Sequence, residues 1–239
     1  MSRYGLAAPG IFTSPGYPGG PNAGPPPVQF YQNKATYRYG ETSLWSTQRY
    51  AGTSALANNT SGRLFSIGLG STGQGLVNAA SIAETNLKVG GFVPDGQAYD
   101  VSGISALVYS STSTADNGTC GVAYNTSALV NQLINVQNNA VLIWNFTQTT
   151  IEIAPLHMVG AGGGAYGAVA TTVNDTSTGH MNNGAANMWV YRDEPVGLPG
   201  NSVFAILLQF GSRAAVVATN DLFVKVTLTG RYKNVIEGG

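Results

Sequence analysis

The sequence predicts an all-β sandwich, and three observations lead to that fold class. First, the C-terminal run Asp221–Tyr232 alternates between two faces, with Leu222, Val224, Val226 and Leu228 on one and Lys225, Thr227, Thr229 and Arg231 on the other. That period of two is what a half-buried strand requires. Second, the run Ser202–Phe210 is apolar on both faces, so it needs cover on both sides from a second sheet or a neighbouring subunit. Third, helix signals are few.

The chain is poor in charge for its length of 239 residues. Charged residues make up 9%, and Lys+Arg and Asp+Glu balance at 11 each, so the formal net charge is zero. Little repulsion then opposes association, and few charges need desolvating at an interface. The composition favours a self-assembling protein over the alternative of a secreted β-protein with an ordinary neutral surface.

Composition also argues against several functional classes. The cations are scattered, so we expect no sequence-specific binding of nucleic acid. No run reaches the length of a membrane-spanning helix. The N-terminus lacks the apolar core of a signal peptide, and the single cysteine, Cys120, cannot form an internal disulfide. These features predict synthesis in a reducing cytoplasm without a signal peptide.

Residues 1–27 differ in composition from the rest of the chain. Repeated proline and glycine exclude helices and sheet ladders there, because proline lacks a donor and glycine is conformationally free. Two interpretations are open: a loose tail, since the segment cannot build its own core, or an extended assembly arm held by a neighbouring subunit. We favour the arm, with apolar anchors at Tyr4, Leu6, Ile11, Phe12 and Tyr17. Residues 28–239 then form the sandwich domain.

Within that domain, turn signals and apolar periods predict about eight strands and one short helix. One strand is predicted at Ala98–Tyr109, whose apolar phase starts on Tyr99 and slips at Gly103, where a β-bulge would restore it. A tight turn at Pro94–Gly96 precedes it. Asn125–Val136 carries the helical stripe. Further strands are predicted at Leu64–Leu69, Ala140–Phe146, Thr149–Ile153 and Met188–Tyr191. Long strands with uneven loops favour a two-sheet jelly roll over a closed up-and-down barrel.

The residues that could carry chemistry are isolated from one another. Gly68–Gly73 matches a dinucleotide fingerprint, but Gln74-Gly75 interrupts the helix that should follow, so we interpret it as a surface loop. His157 and His180 have no metal-ligand spacing around them, Cys120 has no evident base, and Asp193-Glu194 before Pro195 suits a solvated turn. Trp45, Trp144 and Trp189 could form a sugar platform, although core packing is favoured. We expect no catalytic, cofactor-binding or metal-binding residues.

The pattern resembles the single jelly-roll coat proteins of tailless icosahedral bacteriophages and related viruses. The resemblance is carried by the Met1–Pro27 arm, the Phe92–Gln97 turn leading into Tyr99–Tyr109, and the runs Val203–Phe210 and Leu222–Tyr232. It implies a capsid subunit of the virion, without enzymatic activity, that assembles into an icosahedral shell through the arm and apolar interfaces. The implied partners are copies of itself, as trimers, pentamers or hexamers, and other virion proteins; an internal membrane is left open.

Two other classes remain open at this point. One is a trimeric spike, fibre head or decoration protein that binds a receptor or glycan, for which Trp45 would be a contact. The other is an enzyme on a jelly-roll scaffold, such as a cupin, which would need clustered histidines and carboxylates. The two separated histidines argue against the enzyme.

Overall fold

The computed structural model describes residues 36–52, 56, 61–94, 96–111, 117, 127–146, 149–159, 165–166, 180–181, 189–190, 195–211 and 220–236. The chain divides into two units, Met1–Lys34 and Ala35–Gly239, and every described residue belongs to the second. The predicted arm anchors therefore lie outside the described residues, as do Cys120, Asp193 and Glu194.

The described residues are mostly β-structure. In chain order the elements are β1 Thr36–Tyr50, β2 Ser61–Leu64, β3 Gln97–Ser111, α1 Ser127–Asn139, β4 Ala140–Phe146, β5 Thr149–Pro155, a 3-10 helix Leu156–Val159, β6 Ala165–Tyr166, β7 His180–Met181, β8 Trp189–Val190, β9 Val196–Leu198, β10 Phe204–Phe210 and β11 Asp221–Ile236. The predicted all-β class with one α-helix is confirmed over these residues.

Two antiparallel sheets make up the body of the protein. The first sheet has the order β1-β11-β3-β8, with β9 also paired to β3, and the second has the order β2-β10-β4-β5. Strands β6 and β7 form a separate two-stranded ribbon. The alternating side chains of β11 explain its central place, because Leu222, Val224, Val226 and Leu228 are all fully buried.

One continuous hydrophobic core lies between the two sheets. The second sheet contributes Phe204, Ile206 and Leu208 from β10 and Trp144 from β4, each no more than 1% exposed. On one side of the sandwich, α1 contacts β3, β5 and the 3-10 helix. The stripe predicted for the helix is confirmed in part, since Leu133 and Val136 enter this core. The core therefore holds both sheets and the helix in fixed relative positions.

Two local features of β3 that the sequence predicts, the bulge and the preceding turn, are present in the structure. The predicted bulge is present: Thr229 pairs with Gly103 and Gly230 with Val101, which leaves Ser102 as the extra residue. The turn before β3 is also present, because the Gln97 N–H donates to the Pro94 carbonyl at 3.2 Å.

The predicted strand at Leu64–Leu69 is wrong. Strand β2 ends at Leu64, because Phe65 takes a left-handed backbone conformation with φ of 63° and turns the chain out of the sheet. Residues 65–94 contain no helix or named strand and run as one long loop. The glycine-rich Gly68–Gly73 stretch lies in this loop without a helix behind it, which agrees with our interpretation of a loop.

Candidate functional site

An apolar recess opens between the sheets at one end of the sandwich. Its volume is about 340 Å³, near the lower limit of small-molecule sites. The wall is mostly apolar and is formed by Leu44, Leu87, Val89, Phe92, Val93, Tyr99, Phe204 and Tyr232. Lys88 also lines it, and Asn86 and Gln97 add neutral polar groups. The recess suits an apolar side chain or a small apolar molecule, and the described residues that line it include no paired acid and base groups for catalysis.

Tyr99 fixes the strands around this recess. Its hydroxyl lies 2.5 Å from the Thr42 carbonyl oxygen and 3.1 Å from that of Leu228, so one phenol is within hydrogen-bond distance of two strands. Burial raises the pKa of the Tyr99 phenol above its ordinary value of 10.0. The hydroxyl therefore keeps its proton at neutral pH and serves as a structural donor, not as a base.

The long loop 65–94 covers the free edge of β1 along residues 43–49. The Asn86 side chain behaves like a strand partner: its Nδ2 donates to the Ser43 carbonyl at 2.7 Å, and its Oδ1 accepts from the Trp45 N–H at 3.0 Å. Farther along, the Arg49 N–H donates to the Gln74 carbonyl at 2.9 Å, and Gln74 Nε2 donates to the Thr47 carbonyl at 3.3 Å. An edge satisfied in this way is not free to pair with another chain.

Beneath the same loop, Lys225 projects from the outer face of the first sheet. Its Nζ donates to the Ala83 carbonyl at 2.8 Å and lies 5.8 Å from the ring centre of Trp45. Burial lowers the pKa of the Lys225 ammonium from 10.5, and the nearby Glu84 carboxylate opposes that shift. Glu84 is 1% exposed; its Oε2 accepts from the Ser81 N–H and hydroxyl, whereas its Oε1 has no partner among the described residues.

These contacts predict that Glu84 stabilises the loop by offsetting the charge of Lys225. Glu84→Gln should lower the free energy of unfolding by about 1–2 kcal/mol at pH 7, because it leaves a half-buried ammonium uncompensated. In the folded state the pKa of Lys225 lies below its ordinary value of 10.5. At a pH between the folded pKa and 10.5, the unfolded state therefore binds more protons than the folded state. The stability of the variant should therefore rise with pH in that window, as urea unfolding at a series of pH values from 7 up to 10.5 would measure.

The control is the double variant Glu84→Gln with Lys225→Met, which removes both charges. It should regain part of the stability that the single variant loses, since no unpaired charge remains. A double variant no more stable than Glu84→Gln alone would contradict electrostatic coupling between the two residues.

A second concavity lies on the outer face of the first sheet, and most of the residues that line it carry polar or charged side chains. It encloses about 600 Å³ beside Glu41, Asp100 and Arg231, which occupy one row of the sheet because Arg231 pairs with both acids across β1 and β3. Lys233 forms an ion pair with Asp100 at 2.5 Å. Among the described residues, two acids and two bases balance here, so these residues supply no net field that would attract a charged ligand.

The structure separates the other residues that the sequence singled out. His157 lies exposed on the 3-10 helix, and His180 lies in β7, where only its backbone is described. Trp144 is buried in the core, as expected. Trp45 is partly buried and donates from its indole Nε1 to the Ile82 carbonyl at 2.8 Å, so a sugar platform built from both residues is not formed. Trp189 is described only in its backbone pairing with Ile104.

The roles of Gln74, Glu84, Asn86 and Lys225 were not predicted from sequence. Each depends on a partner distant along the chain, as in the 41-residue separation of Trp45 and Asn86. One contact in this group is local: the Glu84 and Thr85 N–H groups both donate to the Ser81 carbonyl and form a turn.

Within the described ranges, no three histidine, cysteine or acidic side chains come together in a way that could hold a metal ion. Among those same residues no helix is long and apolar enough to cross a membrane. Comparisons of the chain with protein-family models, with curated proteins and with solved structures give no match. Any functional conclusion therefore depends on the geometry of the chain itself.

Proposed function

We propose that this chain is a structural virion protein, a jelly-roll capsid subunit that assembles with copies of itself into an icosahedral shell. The observation that carries the proposal is the strand order. Counting β8 and β9 as one interrupted strand and leaving out the β6-β7 ribbon gives eight strands. In that count the first sheet is ordered 1-8-3-6 and the second 2-7-4-5.

This order arises when the eight strands fold back on themselves as one long hairpin and the paired arms of the hairpin wrap into two layers. Strand one pairs with eight, two with seven, three with six and four with five, and each of these pairs is antiparallel. Eight strands wrapped in two layers define the jelly roll, which viral capsid domains share with lectins and cupins. Because that fold hosts several functions, surface properties must support the particular one.

The surface supports assembly over catalysis. Several large apolar side chains are 40–59% exposed among the described residues, including Leu69, Val77, Ile82 and Val89 on the long loop and Val203 before β10. A chain with 11 cations and 11 anions presents few charges that contact with a neighbour would desolvate. Strand β5 also has an edge that no described strand pairs, with Thr149–Glu152 exposed.

In the proposed shell, the arm Met1–Pro27 clasps an adjacent subunit through Tyr4, Leu6, Ile11, Phe12 and Tyr17. The arm immediately precedes the sandwich domain, so one chain can contribute a wall unit and a tether to its neighbour. Apolar burial and arm exchange would supply the association energy without any catalytic step.

Deleting Met1–Pro27 should leave the thermal unfolding midpoint of the sandwich nearly unchanged and abolish full-size particles. Light scattering with negative-stain microscopy would give the particle mass and shape, and far-UV circular dichroism would confirm folding. A matched variant that replaces the five apolar anchors by serine keeps the arm length and should fail to assemble in the same way.

Full-size particles from the truncated chain would refute the role of the arm. If the intact protein forms a compact trimer instead of shells or rings of five or six, the spike or decoration alternative would replace the capsid proposal. A monodisperse monomer would contradict both.

A further inference from the structure

The outer face of the second sheet has an apolar centre and two opposite charges at its edges. Alternation along the strands places Phe204, Ile206 and Leu208 in the core and turns their neighbours outward. The residues that point away from the core are Arg63 on β2, Leu207 and Gln209 on β10, Val141, Ile143 and Asn145 on β4, and Thr150 and Glu152 on β5. Ala205 shares that side of β10 but is fully buried, so the accessible part of β10 on this face begins at Leu207. Among the described residues of this face, Arg63 and Glu152 alone are charged.

The strand register places the two charges in one row. Arg63 pairs with Leu207, Leu207 with Ile143, and Ile143 with Glu152, so the row runs positive, apolar, apolar, negative across the sheet. Arg63 and Glu152 are exposed and are separated by three strand spacings, or about 14 Å, too far to neutralise each other. Neither forms an ion pair with a described residue.

We propose that this face is a two-fold interface with a second copy of the chain. The two-fold axis of this dimer runs parallel to the strands and lies midway between β10 and β4. Rotation about it places the same row of the second copy against the first, with the order of the four residues reversed. Arg63 of each copy then faces Glu152 of the other, and Leu207 faces Ile143. An axis perpendicular to the strands would instead oppose arginine to arginine, so the charges select one of the two isologous arrangements.

An edge-to-edge contact would also bring Arg63 near Glu152 of a neighbour, but the edge of β2 is obstructed. The Phe65 N–H donates to the Ser46 hydroxyl at 2.8 Å, which ties the end of β2 to β1. On the core side of β2, the Tyr50 hydroxyl lies so close to Gly62 that a Cβ there would overlap it, which holds β2 close against β1. Face-to-face packing leaves these contacts intact, and it covers Leu207 and Ile143.

The face is small for an interface that must stand alone. Four strands at ~4.8 Å spacing and seven residues at ~3.3 Å rise give about 400–450 Å² per copy, below the range of stable dimers. The contact should therefore be weak in isolation and should gain strength by repetition in an assembly. Only this strengthening by repetition rests on the proposed function, since a dimer could form without a shell.

Charge reversal tests the interface directly. Arg63→Glu and Glu152→Arg should each weaken self-association at least about tenfold in low salt, measured by sedimentation equilibrium, because two attractive contacts become repulsive. The double variant Arg63→Glu with Glu152→Arg should restore wild-type affinity. Unchanged association in the single variants, or a double variant as weak as either single one, would overturn the proposal.

Thiol cross-linking tests the orientation in a Cys120→Ser background. When the single variants Ile143→Cys and Leu207→Cys are mixed with a short bis-maleimide, the 143–207 product between chains should dominate. A control with Val77→Cys, on the long loop, should give little product. A mixture that links no more than this control would overturn the face-to-face arrangement.

These outcomes can be separated from those of the capsid proposal. If shells form normally in the charge-reversed variants, the two-fold interface is contradicted and the capsid proposal is not. If the chain forms a charge-dependent dimer but never forms shells, the capsid proposal is contradicted and the two-fold interface is not.

Discussion

Replacing Phe204 with alanine should lower the free energy of unfolding by about 3–5 kcal/mol. Phe204 is fully buried, and its ring centre lies 5.7 Å from that of Phe65 and 6.4 Å from that of Trp144. Its backbone is held on both sides, by pairing with Phe146 and by donation from its N–H to the Gly91 carbonyl at 3.0 Å. The surroundings therefore cannot collapse into the space that the ring vacates.

The cost should lie at the upper end of that range, because Phe204 also lines the apolar recess of about 340 Å³. Truncation would join the new cavity to an opening that is already present, so the core would lose contacts and gain access to water. Urea unfolding followed by tryptophan fluorescence and circular dichroism would measure the loss.

Val203→Ala is the matched control for Phe204→Ala. Val203 is the preceding residue, and its side chain is 45% exposed. Its truncation should change stability by no more than about 0.5 kcal/mol. Equal losses in the two variants would mean that the core does not lie on the side of β10 that the structure assigns.

The strand pattern of the sandwich was predictable wherever one face is buried. The alternation of Leu222–Leu228 identified β11, and the phase slip at Gly103 identified the bulge in β3, because burial imposes a period of two on the sequence. The run Val203–Phe210 is apolar on both faces, so it predicted the strand β10 but did not show which face packs in the core. Phe204 and Ile206 face the core, whereas Leu207 is half-buried on the outer face.

Other features left no periodic trace. Strand β2 ends where Phe65 takes a positive φ, a conformation that an aromatic residue gives no reason to expect. Strand β9 has three residues, too few for a pattern, and it pairs with β3 only before the bulge, at Tyr99, Asp100 and Val101. Residues of the long loop satisfy the edge of β1 through Gln74 and Asn86, whose partners are fixed by tertiary packing.

The candidate surfaces were less predictable than the strands, because they combine residues far apart in sequence. Arg63 and Glu152 come from opposite edges of one sheet, and only the register through Leu207 and Ile143 brings them into one row. Composition predicted only that charges would be sparse at contact surfaces. In a chain with so few charges, one face that carries two opposite charges around an apolar centre is a distinctive feature, and it becomes visible only when the sheet is assembled.

Gly230→Ala should destabilise the protein by about 3 kcal/mol, although it adds a single methyl group. Gly230 is buried in β11 opposite Val101, next to the position where Ser102 is left unpaired in the β3 bulge. A Cβ at Gly230 would overlap the Asp100 carbonyl oxygen and would lie 2.9 Å from its carbon and 3.0 Å from the Val101 Cα. These are backbone atoms of a paired strand, so no side-chain rotation can relieve the overlap.

Gly40→Ala on β1 provides the comparison. Gly40 pairs with Tyr232 in the same sheet, and a Cβ there would meet no heavy atom within 4 Å. This substitution should be neutral or slightly stabilising, since alanine restricts the unfolded chain more than glycine does. Denaturant midpoints of the two variants, measured together, separate close strand approach from a general effect of alanine in the sheet. A Gly230→Ala protein as stable as Gly40→Ala would mean that β3 and β11 do not approach as closely at the bulge as the structure has them.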